Sequence, residues 1–142
     1  MDRHDLQRFI DAQDEGDTFR RAVGELRAGR KTSHWMWFIF PQRAGLGQSA
    51  MSRRYAIGSL EEARAYLEHP VLGPRLVECA QALLAHEGLS AREILGDLDA
   101  AKLRSSMTLF AAVAPEQPTF SLVLERYFKG DPDPAATFNE RL

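Results

Sequence analysis

Two Ser-x-x-Glu tetrads, Ser59–Glu62 and Ser90–Glu93, constrain this chain more than any other feature. In such a box the serine hydroxyl accepts from the backbone N–H three residues on and the glutamate reaches back, satisfying donors that only a helix N-terminus leaves open. The first box predicts a helix over Leu60–Glu68, ended by Pro70, because the residue before a proline is biased out of the helical region. The second predicts a short helix ending at Gly96.

Other helix signals fill most of the remaining length. Asp17 caps a predicted helix over Thr18–Ala28, with Phe19, Val23 and Leu26 on one face and Gly29 as its stop. Pro74 suits a first turn, and Leu76, Cys79, Ala80, Leu83 and Leu84 recur at helical spacing behind it, with Gly88 closing the segment. Asp99 is the expected cap of a long helix over Ala100–Ala114, carrying Leu103, Met107, Phe110 and Ala111 as its apolar stripe and stopped by Pro115. A further helix is expected from Pro118 to Phe128, ended by Gly130, with up to two frayed turns in the tail from Asp133 to Leu142.

No stretch alternates in the manner of paired strands. The apolar run Trp35–Phe40 is ambiguous by periodicity, but a buried strand needs a partner and none is found, so a short buried helix is the expectation. The predicted fold is mainly α: a compact single-domain helical bundle spanning residues 1–142, with about six to eight helices and one long irregular loop from Pro41 to about Gly58. A chain of 142 residues suits one domain and buries a real core without disulfides or metals.

The N-terminus, Met1-Asp2-Arg3-His4-Asp5, has no apolar stretch behind it, which argues against a signal peptide, and the longest apolar run is too short for a bilayer. With one cysteine, Cys79, no internal disulfide forms. A reducing compartment and a cytoplasmic location are expected. The charge is unevenly spread. Arg20–Arg54 holds eight basic residues against the single acid Glu25, or +7; with −2 overall, the remainder carries −9. A protein that coats nucleic acid carries basic excess overall. This pattern suits a small anionic ligand or a solvated surface instead. No membrane partner, cofactor or metal is implied, and oligomeric state is beyond the sequence.

Chemistry is most expected in Arg30–Tyr55, which gathers aromatic, amide, glycine and basic residues around the irregular loop; long loops inside compact domains are often functional. Gly45, Gly47 and Ser49 form either a backbone anion nest or a plain turn. Arg53 and Arg54, with Tyr55 beside them, either complete a phosphate site or carry surface charge. His34, next to Ser33, is a candidate general acid or base or else a structural hydrogen-bonding residue. Trp35 and Trp37 offer a stacking face or pack as core. Gln42 reads a ligand's polar edge or caps backbone.

A second cluster, Lys102 to Thr108, places Ser105, Ser106 and Thr108 mid-helix, where hydroxyls disfavour the helix. Lys102 lies one turn from the serines and is a candidate to activate one of them. His4, His34, His69 and His86 make no metal-ligand pattern, and Cys79 on an apolar helix face reads as an inert core thiol.

These residues also carry a resemblance. The segments Asp5–Phe9 with Ala12-Gln13, Gly29–Lys31 with Ser33–Gln42, Gly45–Gly47, Arg54–Ile57, Ala65–Leu67, His69–Leu76 and Ser105–Phe110 resemble the bacterial family called domain of unknown function 1810, some members of which are mislabelled calpastatin-like. The resemblance covers nearly the whole chain up to Phe128. It implies a small, mostly helical, single-domain protein and supplies no reaction. Because its hallmark stretches are the two just described, it implies that they line one shared pocket, with Gln13 of the first helix contributing.

Three functional expectations follow. The first is a small-molecule-binding protein or hydrolase acting on a phosphorylated or nucleotide-like ligand. In it His34 and Ser106 carry the chemistry, a tryptophan stacks on a ring, and Gln42, Ser105 and the basic segment orient the ligand. The second is a non-enzymatic protein-interaction module with a basic face. The third is a packed helical domain whose polar residues only satisfy backbone.

Overall fold

The computed structural model describes residues 3–138. Six helices in it are eight residues or longer: α1 (Gln7–Asp14), α2 (Thr18–Ala28), α5 (Leu60–Glu68), α6 (Leu72–Leu84), α8 (Asp97–Val113) and α9 (Pro118–Phe128). Three short ones, α3 (Met36–Ile39), α4 (Ala50–Arg54) and α7 (Ala91–Leu95), sit between them. The architecture is the mainly α bundle that the periodicity predicts. The run after Trp35 is a short buried helix, with Trp35, Met36, Phe38, Ile39 and Phe40 inside and Trp37 alone half exposed.

The boxes work as their chemistry requires. Ser90 and Glu93 form the complete reciprocal pair at the start of α7. Ser59 accepts from Glu62 N, while the Glu62 carboxylate reaches one residue further back, to Gly58 N–H at 2.9 Å. Helix α2 stops at Gly29, whose N–H returns to Glu25 and Leu26 carbonyls.

Four expectations are corrected, two about helix caps, one about the loop and one about the tail. Asp17 is left-handed and makes no side-chain cap, because the chain enters α2 through a tight turn at Glu15–Asp17. Asp99 is not a cap either. The long helix begins at Asp97, so Asp99 lies in its first turn, where it holds Lys31 and Lys102. The loop from Pro41 to Gly58 contains α4, capped by Ser49, and its ends are stapled by a parallel bridge between Arg43 and Ile57. The described tail, residues 131–138, is turn and extended chain rather than helix; the rest of it lies outside the described residues.

One contiguous core joins these elements. A chain of aromatic contacts runs through it: Phe9 meets Tyr66 edge-on at 5.0 Å, Tyr66 meets Phe110 at 5.5 Å, and Phe110 meets Phe120 at 5.9 Å. Each fully buried phenylalanine contributes on the order of 1.5–3 kcal/mol. Every residue of α8 from Ser105 to Phe110 is buried, Ser106 in the core and Ser105 and Thr108 beneath the tail that they bond. No helix among the described residues is long and apolar enough to cross a membrane.

Candidate functional site

A cleft of about 530 Å³ opens between α3, the loop leading into α4, and α8. Trp37 and Gln42 line it from one side, and Leu46, Gly47, Gln48, Ser49 and Ser52 from the loop. Ala101, Lys102 and Ser105 line it from α8, and Asp133 closes it from the tail.

Local structure explains this convergence. Trp37 is the one residue of α3 that the core leaves half exposed. Gln42 is fixed by the backbone bridge, its carbonyl accepting from Ile57 N–H at 2.8 Å. Lys102 and Ser105 are three apart on α8 and therefore share a face. Asp133 arrives because the tail is tied down over that face. Arg104 donates to the Asp131 and Pro132 carbonyls at 2.8 Å, and Asp133 N–H donates to Thr108 Oγ1 at 3.0 Å.

The polar groups of the cleft are only partly engaged. Lys102 Nζ lies 3.2 Å from Asp99 Oδ1 and 5.1 Å from the centre of the Trp37 ring. The Ser105 hydroxyl donates to Asp133 Oδ2, and Ala135 N–H donates to Asp133 Oδ1 at 3.0 Å. Ser49 and Ser52 bond each other. The side-chain amides of Gln42 and Gln48 and the indole N–H of Trp37 make no hydrogen bond among the described residues. The cleft thus faces solvent with unused donors and acceptors beside an aromatic wall.

The other expected site residues lie elsewhere. Ser106 is wholly buried, its Oγ without a partner among the described residues, so it touches no ligand. His34 is exposed and outside the cleft lining. Ser33 and Trp35 belong to a different network, centred on Glu25: its carboxylate accepts from Thr32 N–H at 2.8 Å, Ser33 N–H at 3.1 Å, Ser33 Oγ at 2.5 Å and Trp35 Nε1 at 2.9 Å. Partial burial pushes this carboxyl's pKa up, but those four bonds outweigh it and hold the group at about 2. Gln13 is buried between α1 and α3, donating to the Phe38 carbonyl at 2.8 Å and accepting from Arg75 at 3.1 Å.

Gly45 is an exposed turn residue outside the cleft, and Gly47 packs against Ser52, which favours the turn reading over an anion nest. Tyr55 is core, against Phe9 and Phe38. Arg53 and Arg54 line a shallow hollow on another face, with Arg3, His4, Asp5, Arg8 and Glu62. Cys79 is buried, and burial pushes its thiol up to about 12, in keeping with a core role. Among the described residues no cluster of three or more His, Cys, Asp or Glu side chains is placed to hold a metal.

Sequence reasoning missed Asp133, Gln48 and Ser52. Asp133 had no motif to mark it, and its position depends on where the tail folds back.

Comparison with known proteins adds to this picture. The model of the family described as protein of unknown function (DUF1810) matches residues 3–139. No curated protein matches the chain. A solved structure, the conserved hypothetical protein Rv1873 from Mycobacterium tuberculosis, is similar at 50% identity over 92% of each chain, with a TM-score of 0.89.

Proposed function

The chain belongs to the family described as protein of unknown function (DUF1810), and we propose that it is a binding protein for a small nucleotide-like compound held in the cleft between α3 and α8. The observation that carries this reading is the convergence of Trp37, Gln42, Lys102 and Ser105, from two distant stretches, on one solvent-connected hollow. Its volume, about 530 Å³, falls within the range of small-molecule sites. An aromatic wall with a few polar groups whose bonds are unfilled suits a ring-bearing ligand.

Binding is better supported than catalysis. No histidine lines the cleft, and its one hydroxyl–carboxylate contact, Ser105 with Asp133, lacks the imidazole that ordinarily activates a serine. A basic docking face is less well supported still, because six of the eight cations of Arg20–Arg54 already hold partners within the chain. Lys31 pairs with Asp99 at 2.9 Å and Arg27 with Glu78 at 3.4 Å, while Arg43 and Arg53 hold backbone carbonyls.

The test is a thermal-shift screen against nucleosides, nucleotides and sugar phosphates. A ligand at a hundred times its Kd adds about 2.7 kcal/mol of stability. The shift is expected to vanish in Trp37→Ala and Ser105→Ala and to survive in His34→Ala. A panel without a response, or a response indifferent to the two cleft variants, overturns the reading.

A further inference from the structure

Resting on that reading of the cleft, we infer that its ligand is uncharged and presents a vicinal diol: a ribonucleoside rather than the corresponding nucleotide.

The charge of the cleft is the first argument. Lys102 is the single cation among its lining residues, and Asp133 is a carboxylate in the same lining. Lys102 already leans on Asp99 Oδ1 at 3.2 Å, and the other oxygen of Asp99 holds Lys31 at 2.9 Å. Among the described residues of the lining and their ion pairs, two lysines face two aspartates. A phosphomonoester brings about −1.5 to −2 charges and needs bidentate arginine or a converging set of donors to replace its water. The nearby arginines direct guanidinium donors to the chain itself. Arg43 donates to the Thr137 carbonyl at 2.7 Å, Arg53 to the Gln48 carbonyl at 2.6 Å, and Arg104 to Asp131 and Pro132. A phosphate in this cleft meets the Asp133 carboxylate, and the cation of the described lining, Lys102, is already paired with Asp99.

Asp133 supplies the second argument. A carboxylate offers about four acceptor positions over its two oxygens. Ser105 Oγ takes one on Oδ2 and Ala135 N–H takes one on Oδ1, so each oxygen keeps one. Two acceptors a carboxylate's width apart match two adjacent hydroxyl donors. The remaining groups suit the rest of a nucleoside: Trp37 gives a surface for a base, and the Gln42 and Gln48 amides each offer both a donor and an acceptor to its edge.

The experiment uses tryptophan fluorescence. Trp35 is wholly buried and serves as background, while half-exposed Trp37 is the reporter. The whole protein is titrated with the four common ribonucleosides, their 2′-deoxy forms and their 5′-monophosphates. At least one ribonucleoside is expected to change the signal, with its deoxy form and its monophosphate each weaker by about tenfold or more, the loss of one well-made hydrogen bond or the addition of one unfavourable charge. Asp133→Asn is expected to weaken the ribonucleoside and narrow its advantage over the monophosphate. Ser105→Ala provides a second variant should the tail of Asp133→Asn fail to dock. A monophosphate that binds more tightly than its nucleoside, or a deoxy form that binds equally well, overturns this inference and leaves the cleft as a ligand site. Silence across all three sets, with a cleft-dependent response to some other compound in the thermal screen, does the same. Silence in both assays removes the inference and the proposed function together.

Discussion

The indole Nε1–H of Trp35 donates to Oε1 of Glu25 at 2.9 Å, and that one oxygen also accepts the backbone N–H groups of Thr32 and Ser33. The carboxylate therefore fastens the end of the α2–α3 connection to a tryptophan sunk in the core. Replacing it orphans four donors at once. Glu25→Ala is expected to cost about 2–3 kcal/mol in urea denaturation, the scale of charge-assisted bonds lost with a donor left behind. The pH dependence follows from the depressed acidity. The carboxyl titrates near its ordinary 4.5 in the unfolded chain and at about 2 when folded. Its stabilisation is thus complete above the unfolded value and is lost as pH falls from about 4.5 through about 2. The stability gap between wild type and Glu25→Gln should close over that window; a gap that stays constant with pH would show that the charge is not what holds the connection.

Ser105 and Ser106 are adjacent in sequence but serve opposite roles. Ser105 bonds Asp133 at the cleft, whereas Ser106 is sealed in the core with a hydroxyl that has no partner among the described residues. A buried hydroxyl without a partner costs on the order of 1–3 kcal/mol. Ser106→Ala is therefore expected to raise the melting temperature and leave ligand response untouched, while Ser105→Ala weakens the response. Calorimetry of the two variants side by side checks this. Destabilisation by Ser106→Ala would mean that its Oγ has a partner after all.

That pair also shows what was legible in the sequence. Helix positions were, because Ser-x-x-Glu boxes, Gly29, Pro70 and Gly96 act through local backbone chemistry. About half of the cleft was legible too, since Trp37, Gln42, Gly47, Ser49, Lys102 and Ser105, six of its eleven lining residues, stand out by residue type. Their neighbours were not separable by type. One helical residue turns the side chain by about 100°, which sends Ser106 inward where Ser105 faces the cleft. Trp35 and Trp37, two residues apart, likewise part company, one to the Glu25 network and one to solvent. Asp133 was illegible because no local pattern encodes a contact between residues 28 apart.

Two glycines in helices offer a paired test of packing. A Cβ on Gly73 would sit 2.1 Å from the Leu67 carbonyl oxygen, where α5 hands over to α6. Backbone must move to admit it, so Gly73→Ala is expected to destabilise by about 1–3 kcal/mol or more, the cost of overpacking. Gly24 in α2 is exposed and a Cβ there meets nothing within 4 Å. Gly24→Ala should instead stabilise by about 0.5–1 kcal/mol through helix propensity. Denaturant midpoints of the two variants should move in opposite directions; a shift in the same direction would refute the close approach of α6 to Leu67.

Arg43 decides whether the tail stays docked. Its guanidinium donates to the Ala135 carbonyl at 3.3 Å and the Thr137 carbonyl at 2.7 Å and lies 5.0 Å from the centre of the Phe138 ring, while Ala136 between them is fully buried. Arg104 holds the start of the same segment through Asp131. Arg43→Met keeps much of the apolar stem and removes the donors, so the loss falls on the tail rather than on the core. Amide exchange should quicken across residues 135–138 and remain unchanged in α6. Arg104→Met should quicken exchange nearer Asp131 instead. Because Asp133 lies between the two anchors, either variant should also weaken any ligand of the cleft without altering the Trp35 environment. Unchanged exchange in Arg43→Met would mean that burial of Ala136 alone holds the segment, and that the cleft's carboxylate wall does not depend on the arginine.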